Sequence, residues 1–523
     1  MIKLLSRPAA KDFAKQLLSP EKAQQKIFCE IKKNLAKSQY GQALGVNEDI
    51  TYSAFRRTVP IVSYDNIAPW IEKEKQGFQG ILTPHHIDFF EKTSGSGGPA
   101  KYIAYNKPLL NSFNRMFKIW VHDILTNGIR VETSRIFMSI SPALRDEKQT
   151  IGGTPIGLDD DSQYLKKMWR RFLKPFLITP PLILDIENIE DFRYLLAATL
   201  LAEENLEMIS IWNPTYFLVL LETISIYRED LIHDLAMGFI VKNGTRYVFR
   251  ALSAERKALL QKPAIHWQAL WPKLKLISCW TKSMASYGAQ KLNHLFPDVL
   301  IQGKGLLATE APISIPLMNS VGCAPMLNEV FFEFRDSASN IYLLHQVSVG
   351  ETYELIISQR GGLYRYCLGD RIKVTGKYHN TPCFEFVGRT NHTCDMVGEK
   401  LTEDFVLEAL NQVIQFNRVF CMLIPRIETD GRGYYVLVCE KSDFISDEAL
   451  DETLSKSYHY QNSRILGQLK KPVVMVVPNM QREVQDFMIL CGKKWGNIKD
   501  KILITDFEMA KRLLDHLSNE YIV

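Results

Sequence analysis

Apolar residues fall at helical spacing near the start of the chain. Phe13, Leu17, Ile27, Phe28, Ile31 and Leu35 share a 3.6-residue period over residues 12–35. Ser19-Pro20 inside that run predicts a stop and a restart. The first ninety residues read as helices with connectors. From about residue 135 the period changes. Short strand-like runs at 136–140, 182–184, 208–212, 274–279 and 299–301 alternate with helical stretches at 163–177, 190–204 and 216–227. Such alternation predicts an α/β fold built on parallel-rich sheets. After Asn328 the strands crowd at 329–334, 341–345, 352–357 and 371–374, which predicts an antiparallel, barrel-like subdomain. Past Arg389 a helix at 403–414, a strand at 434–439, a helix at 447–458 and a strand at 473–477 make up a small α+β domain. The expected division is therefore a large N-terminal domain over 1–389 and a C-terminal domain over 390–523.

Composition narrows the class without naming a chemistry. Hydrophobic residues are 46% and charged residues 23%, the mix of an ordinary soluble globular protein. Lys+Arg number 63 against 58 Asp+Glu, and a net charge of +5 over so long a chain does not support a nucleic-acid binder. No apolar run approaches the ~20 residues of a membrane span. The basic start lacks the ~7–15-residue apolar region of a signal peptide. The nine cysteines are scattered, with no pair at zinc-ligand spacing. Most of them read as small buried hydrophobes, and the expected compartment is the cytoplasm.

The densest local signal is Thr93-Ser94-Gly95-Ser96-Gly97-Gly98-Pro99-Ala100-Lys101. Backbone N–H groups unobstructed by Cβ can converge on a phosphate, hydroxyls add donors, and a lysine supplies charge. The Gly-Lys-Ser/Thr ending of a Walker A loop is missing. On composition alone, a phosphate cradle and a flexible surface turn stand equal.

The segment resembles the phosphate loop of the adenylate-forming superfamily, which includes acyl-CoA ligases, luciferases and peptide-synthetase adenylation domains. Thr93, Ser94, Gly95, Ser96, Gly98 and Lys101 fit that pattern, and Gly97 departs from it. Three later segments follow in the superfamily's order. They are Gly305-Leu306-Leu307-Ala308-Thr309-Glu310, Tyr364-Arg365-Tyr366-Cys367-Leu368-Gly369-Asp370, and Phe386-Val387-Gly388-Arg389 with Asp395-Met396-Val397-Gly398-Glu399-Lys400. Val59-Pro60-Ile61-Val62-Ser63-Tyr64-Asp65, Ser210-Ile211-Trp212-Asn213-Pro214, Phe331-Phe332-Glu333-Phe334 and Gly398-Glu399-Lys400-Leu401-Thr402-Glu403 are similar to one branch. That branch is the plant auxin-responsive acyl-acid amido synthetases and their bacterial relatives, and the similarity covers essentially the whole chain.

The resemblance implies a two-step reaction. A carboxylate attacks the α-phosphate of ATP to give acyl-adenylate and pyrophosphate, and an amino-acid amine then displaces AMP. It implies ATP and Mg2+ as cofactors, with Thr93, Ser94, Gly95, Ser96, Gly98, Thr309, Glu310, Asp370 and Arg389 at the nucleotide. Thr309 would face the α-phosphate, Glu310 would hold magnesium, and Asp370 would accept hydrogen bonds from the ribose. It further implies a mobile C-terminal domain whose lysines serve different steps, with Lys101, Lys400 and Lys499 as the catalytic candidates. Lys499 stands among Lys493, Lys494 and Lys501. The expected partners are a small carboxylic acid and an amino acid. An acyl-CoA ligase using the same first step, and a catalytically silent nucleotide binder, are the competing readings; Gly97 and Cys367 are the support for the latter. Glu333 inside its apolar run calls for an arginine partner that the sequence does not identify.

Overall fold

The computed structural model describes residues 2–92, 101–138, 149–157, 176–178, 186, 188–282, 285–389, 393–414, 419–428, 432–441, 445–493 and 495–521. Its N-terminal helices break where Ser19-Pro20 predicts, into Ile2–Leu17 and Pro20–Lys37. Proline at the first helical position costs nothing, because that N–H has no intrahelical acceptor. Met1–Arg130, Arg145–Lys174 and Lys304–Thr390 gather into one compact unit. Val131–Leu144, Pro175–Gly303 and Asn391–Val523 gather into a second.

The first unit is organised by a seven-stranded antiparallel sheet. Its strand order is Ser314–Pro316, Cys323–Pro325, Thr381–Arg389, Tyr366–Tyr378, Thr352–Gln359, Val330–Arg335 and Ile341–Leu343. Helix Pro20–Lys37 lays Ile27, Phe28, Ile31 and Leu35 into this unit's core. Its register on the sheet is fixed by a buried amide. Gln24 Nε2 donates to the carbonyls of Leu327 (2.7 Å) and Val330 (2.8 Å), and Oε1 accepts from the Phe332 N–H (2.9 Å). Glu333 finds its partner in Arg365, Nε to Oε2 2.8 Å, with both side chains at least 95% buried. Arg365 Nη1 also donates to the carbonyls of Arg56 (3.0 Å) and Val59 (2.9 Å), and Tyr52 Oη donates to Glu333 (2.9 Å). A pair this well satisfied tolerates burial that would be costly for either ion alone.

The second unit carries the parallel sheet, in the order Arg135–Met138, Leu206–Ser210, Leu276–Cys279, Leu300–Gly303. Helices Ile189–Ala202 and Pro214–Ile226 are apolar on nearly every face and correspondingly buried. Residues 391–523 share this unit's core. There Cys421–Ile427 runs antiparallel to Gly433–Cys439, which pairs in parallel with Val473–Val476. The chain thus changes unit at 130/131, 144/145, 174/175, 303/304 and 390/391. All but the last of these changes fall inside the single N-terminal domain expected over 1–389.

Two expected elements differ. The helix expected over 447–458 is two helices, Asp447–Leu454 and Tyr458–Ile465. Ser457 interrupts it by accepting the Tyr460 N–H as a new N-cap. The helix expected over 163–177 lies outside the described residues except at its end. There Phe176 and Ile178 pair with Ile136 as extended backbone. The strand expected at 182–184 also lies outside the described residues.

One buried carboxyl in the first unit has a measurable consequence. Glu74, at the end of helix Tyr64–Lys75, accepts the Leu82 N–H at 3.1 Å, while among the described residues its Oε2 has no hydrogen-bond partner. Burial pushes it up to about 7 from an ordinary 4.5, against the pull of the Leu82 amide. Its contribution is whole at pH values where the unfolded chain also keeps the proton, and is lost as pH rises through about 7. Glu74→Gln is expected to remove that decline and to be more stable by up to about 3 kcal/mol at about pH 8. Denaturant midpoints at mildly acidic and mildly basic pH check this. A Glu74→Gln profile parallel to wild type would assign the pH dependence elsewhere.

Candidate active site

The site is assembled in the first unit from two short hairpins and the two longest strands of the sheet. Ile87–Lys92 pairs with Tyr102–Asn106, and Lys92 faces Tyr102 across the ladder. Both ends of the glycine-rich segment are therefore held close together. Thr93, Ser94, Gly95, Ser96 and Gly98 lie outside the described residues. Lys101 is described, with Nζ 5.6 Å from the ring centroid of Tyr64. The Tyr64 hydroxyl accepts the Tyr102 N–H at 2.9 Å. Lys75 and Lys92 approach the Tyr102 ring at 4.1 and 5.9 Å. Lysines thus gather around this hairpin, with Lys75 also paired to Glu72 at 2.8 Å.

Thr309 and Glu310 are the two-residue tip of a second hairpin, between Leu307–Ala308 and Ala311–Pro312. The Thr309 carbonyl accepts from Tyr105 Oη (2.6 Å) and the Glu310 carbonyl from Gln359 Nε2 (3.0 Å). Asp370 and Arg389 face each other on adjacent strands, Nε to Oδ1 2.7 Å, with Asp370 almost wholly buried. Electrostatics bind these groups into one neighbourhood. Burial raises the Glu310 carboxyl above its usual range and the charge of Asp370 adds to it, while Arg389 and Lys101 pull it back down. Burial likewise raises the Tyr366 hydroxyl, with Glu310 and Tyr64 contributing. Asp370, Arg389 and Lys101, spread over almost three hundred residues of sequence, thus all act on Glu310.

Matches to known families coincide with these elements. The GH3 family N-terminal domain matches residues 9–301, and the GH3 family central domain matches residues 323–389. The chain belongs to the GH3 family. It is 25% identical over 392 residues to the 4-substituted benzoates-glutamate ligase GH3.12 of Arabidopsis thaliana, covering 68% of this chain and 67% of that relative. It is 22% identical over 537 residues to the indole-3-acetic acid-amido synthetase GH3.4 of the same plant, covering 92% and 89%. In fold it is similar to the solved AtGH3.15 acyl acid amido synthetase in complex with 2,4-DB. There the TM-score is 0.83 at 18% identity, over 98% of this chain and 96% of that one.

The remaining lysines of the sequence reading lie in the second unit. Lys400 is exposed and holds φ +46, a backbone conformation uncommon outside glycine. The buried carboxylate of Glu399 shapes the turn before it, accepting the N–H groups of Met396 and Val397 (both 2.9 Å) and the Tyr435 hydroxyl (2.6 Å). Lys499 is exposed, with Nζ 5.4 Å from the Trp280 ring centroid. Its neighbours are anchored to the start of helix Pro214–Ile226. Asn213 Nδ2 donates to the Ile498 carbonyl (2.9 Å), and Thr215 Oγ1 donates to Asp500 (2.8 Å).

Sequence reasoning assigned no role to Tyr64, Tyr105, Gln359 or Tyr366. Tyr64 and Tyr366 sit inside quoted motifs, so their signal was present. Tyr105 and Gln359 carried none, because their partners lie 204 and 49 residues away. Cys367, which supported the silent reading, is occupied elsewhere. Its thiol meets Glu354 (3.2 Å) and Arg335 (3.7 Å), and burial pushes it up to about 11.

Proposed function

We propose that this protein joins a carboxylic acid to an amino acid through an acyl-adenylate, using ATP and Mg2+. The observation that carries the reading is the neighbourhood of Lys101, Asp370 and Arg389 around Glu310 in a chain of the GH3 family. In the first step a carboxylate oxygen attacks the α-phosphorus of ATP and the bond to pyrophosphate breaks. Charge accumulates on the phosphoryl oxygens, so positioning and fixed positive charge do most of the work. Lys101 supplies such a charge from the end of its hairpin, and Thr93, Ser94, Gly95, Ser96 and Gly98 are assigned to the phosphates with it. Thr309 faces the α-phosphate. Asp370, held by Arg389, accepts from the ribose hydroxyls.

Glu310 fits magnesium by the chemistry of its surroundings. It is a half-buried oxygen donor whose anionic form is disfavoured by desolvation and by Asp370, the condition a divalent cation relieves. Among the described residues no three His, Cys, Asp or Glu side chains converge on one point. Glu310 with phosphate oxygens and water is the kind of shell magnesium takes. Bound there, the ion would neutralise charge on the phosphates.

In the second step the amine attacks the acyl carbonyl and AMP leaves. Lys499 is assigned to adenylation and Lys400 to amide formation, with residues 390–523 moving between the two. No helix among the described residues is long and apolar enough to cross a membrane. Cytoplasmic ATP and free amino acids suit the reaction.

The test is carboxylate-dependent exchange of labelled pyrophosphate into ATP across a panel of aromatic, phenolic and fatty acids. AMP release is then compared with amino acids and with coenzyme A. Exchange with an amino-acid-dependent second step supports the reading. A coenzyme A-dependent second step would make the chain a thioester-forming ligase, and absence of exchange with every acid would leave a nucleotide binder.

A further inference from the structure

We propose that Gln359 is a positioning residue for the acyl-adenylate reaction, tying the Thr309-Glu310 turn to the turn that opens the strand bearing Asp370. The inference rests on the reading above. Gln359 ends strand Thr352–Gln359 and is 1% exposed. Its side-chain amide is used in two directions. Nε2 donates to the Glu310 carbonyl at 3.0 Å, and Oε1 accepts the Gly361 N–H. Its backbone N–H donates to the Leu363 carbonyl at 2.9 Å, closing the turn over 359–363. That turn leads directly into strand Tyr366–Tyr378, which carries both Tyr366 and Asp370.

Gly361 stands where the two turns meet. A Cβ on Gly361 would stand 2.7 Å from Gln359 Oε1, 3.0 Å from Nε2 and 2.9 Å from Leu109 Cδ2. With no side chain at residue 361, the turn approaches the Gln359 amide without displacing it or Leu109. Tyr105 performs the matching task on the other carbonyl of the Thr309-Glu310 turn. Its ring lies between Phe89 (4.8 Å) and Phe113 (5.8 Å), and its hydroxyl donates to Thr309 at 2.6 Å. Both peptide planes of the turn are therefore held by buried side chains, and with them the directions open to Thr309 and Glu310. Gln359 itself touches neither carboxylate nor nucleotide in this account.

The decisive variant is Gln359→Glu, which keeps the shape and makes the donor depend on protonation. A protonated Glu at 359 can donate to the Glu310 carbonyl, while an ionised one cannot and places a charge beside the turn. Burial raises the proton affinity of such a carboxyl. The ratio of Gln359→Glu to wild-type pyrophosphate exchange, measured at saturating ATP and Mg2+, is expected to climb as pH falls from about 9 to about 6. Gln359→Met is expected to lower kcat for exchange ~10- to 100-fold with little change in KM for ATP, because misplacement of a reacting group costs rate more than binding. Tyr105→Phe should lower kcat in the same sense. Should Gln359→Met fail to fold, Gln359→Glu and Tyr105→Phe decide the matter. A Gln359→Glu ratio flat with pH, or wild-type kcat in Tyr105→Phe, overturns the positioning role. Absence of exchange in the wild-type chain instead overturns the acyl-adenylate reading, and is seen before any variant is made.

Discussion

Lys101→Ala is expected to slow acyl-adenylate formation by ~100- to 1000-fold while leaving the fold intact. Removing one preorganised charge contact from a phosphoryl-type transition state typically costs ~2.7–4 kcal/mol, which is the origin of that figure. The fold should survive because Lys101 is only part-buried and stands outside the apolar ladder that follows it. Lys75 and Lys92, close to the same hairpin, keep some positive charge in place. They approach the ring of Tyr102 rather than that of Tyr64, so they are poorly placed to substitute. Glu310→Ala should produce a loss of similar size, with a different signature. Excess Mg2+ should change the deficit of Glu310→Ala and leave that of Lys101→Ala unaltered, since only Glu310 is assigned to the metal. Exchange rates over a magnesium series, beside circular dichroism of each variant, make the comparison. Near-normal exchange in a folded Lys101→Ala protein would remove Lys101 from the site.

What the sequence made legible was set by the range of the interactions involved. The N-terminal helix break, the parallel core strands and the buried helix after Pro214 follow from periodicity and capping within a few residues of chain. Most candidate site residues were nominated because they sit in short contiguous motifs. Their meeting was not legible, because it depends on two strands being neighbours in a sheet and on a hairpin tip reaching them. Arg389 shows the difference. Its position after Gly388 suggests a nucleotide contact, and its cross-strand register adds a partner no motif names, Asp370 at its Nε. The arginine thereby orients the carboxylate assigned to the ribose. The Glu333 partner was unnamed for the same reason, since Arg365 is 32 residues away in the turn before another strand. Grouping by contact was the least legible feature. A change of unit at 303/304 leaves no mark in composition, because the strand before it and the turn after it are both ordinary.

The sharper test concerns the two lysines of the second unit. If residues beyond about 390 move between half-reactions, Lys499 and Lys400 should fail at different steps. Lys499→Ala should slow acyl-adenylate formation, because its charge is assigned to the phosphates. Lys400→Ala should spare that step and slow transfer to the amine. The contacts around Lys499 specify what such a motion must break. The Ile498 carbonyl is held by Asn213, and the Asp500 carboxyl by Thr215, so Lys499 is flanked by two anchors to one helix start. Burial pushes Asp500 up to about 6, against the hydrogen bonds from Thr215 and Asn213 that favour its anion. Beside these two polar anchors the buried Trp495 ring stands 4.2 Å from Tyr216, so a motion of this segment must part apolar surface as well. Supplying synthetic acyl-adenylate bypasses the first step. Amide production should then return to wild-type rates in Lys499→Ala and remain slow in Lys400→Ala. If Lys499→Ala stays slow with preformed adenylate, its role is not confined to adenylation. If Lys400→Ala is fully active in both halves, the exposed lysine at φ +46 belongs to the turn and not to the chemistry.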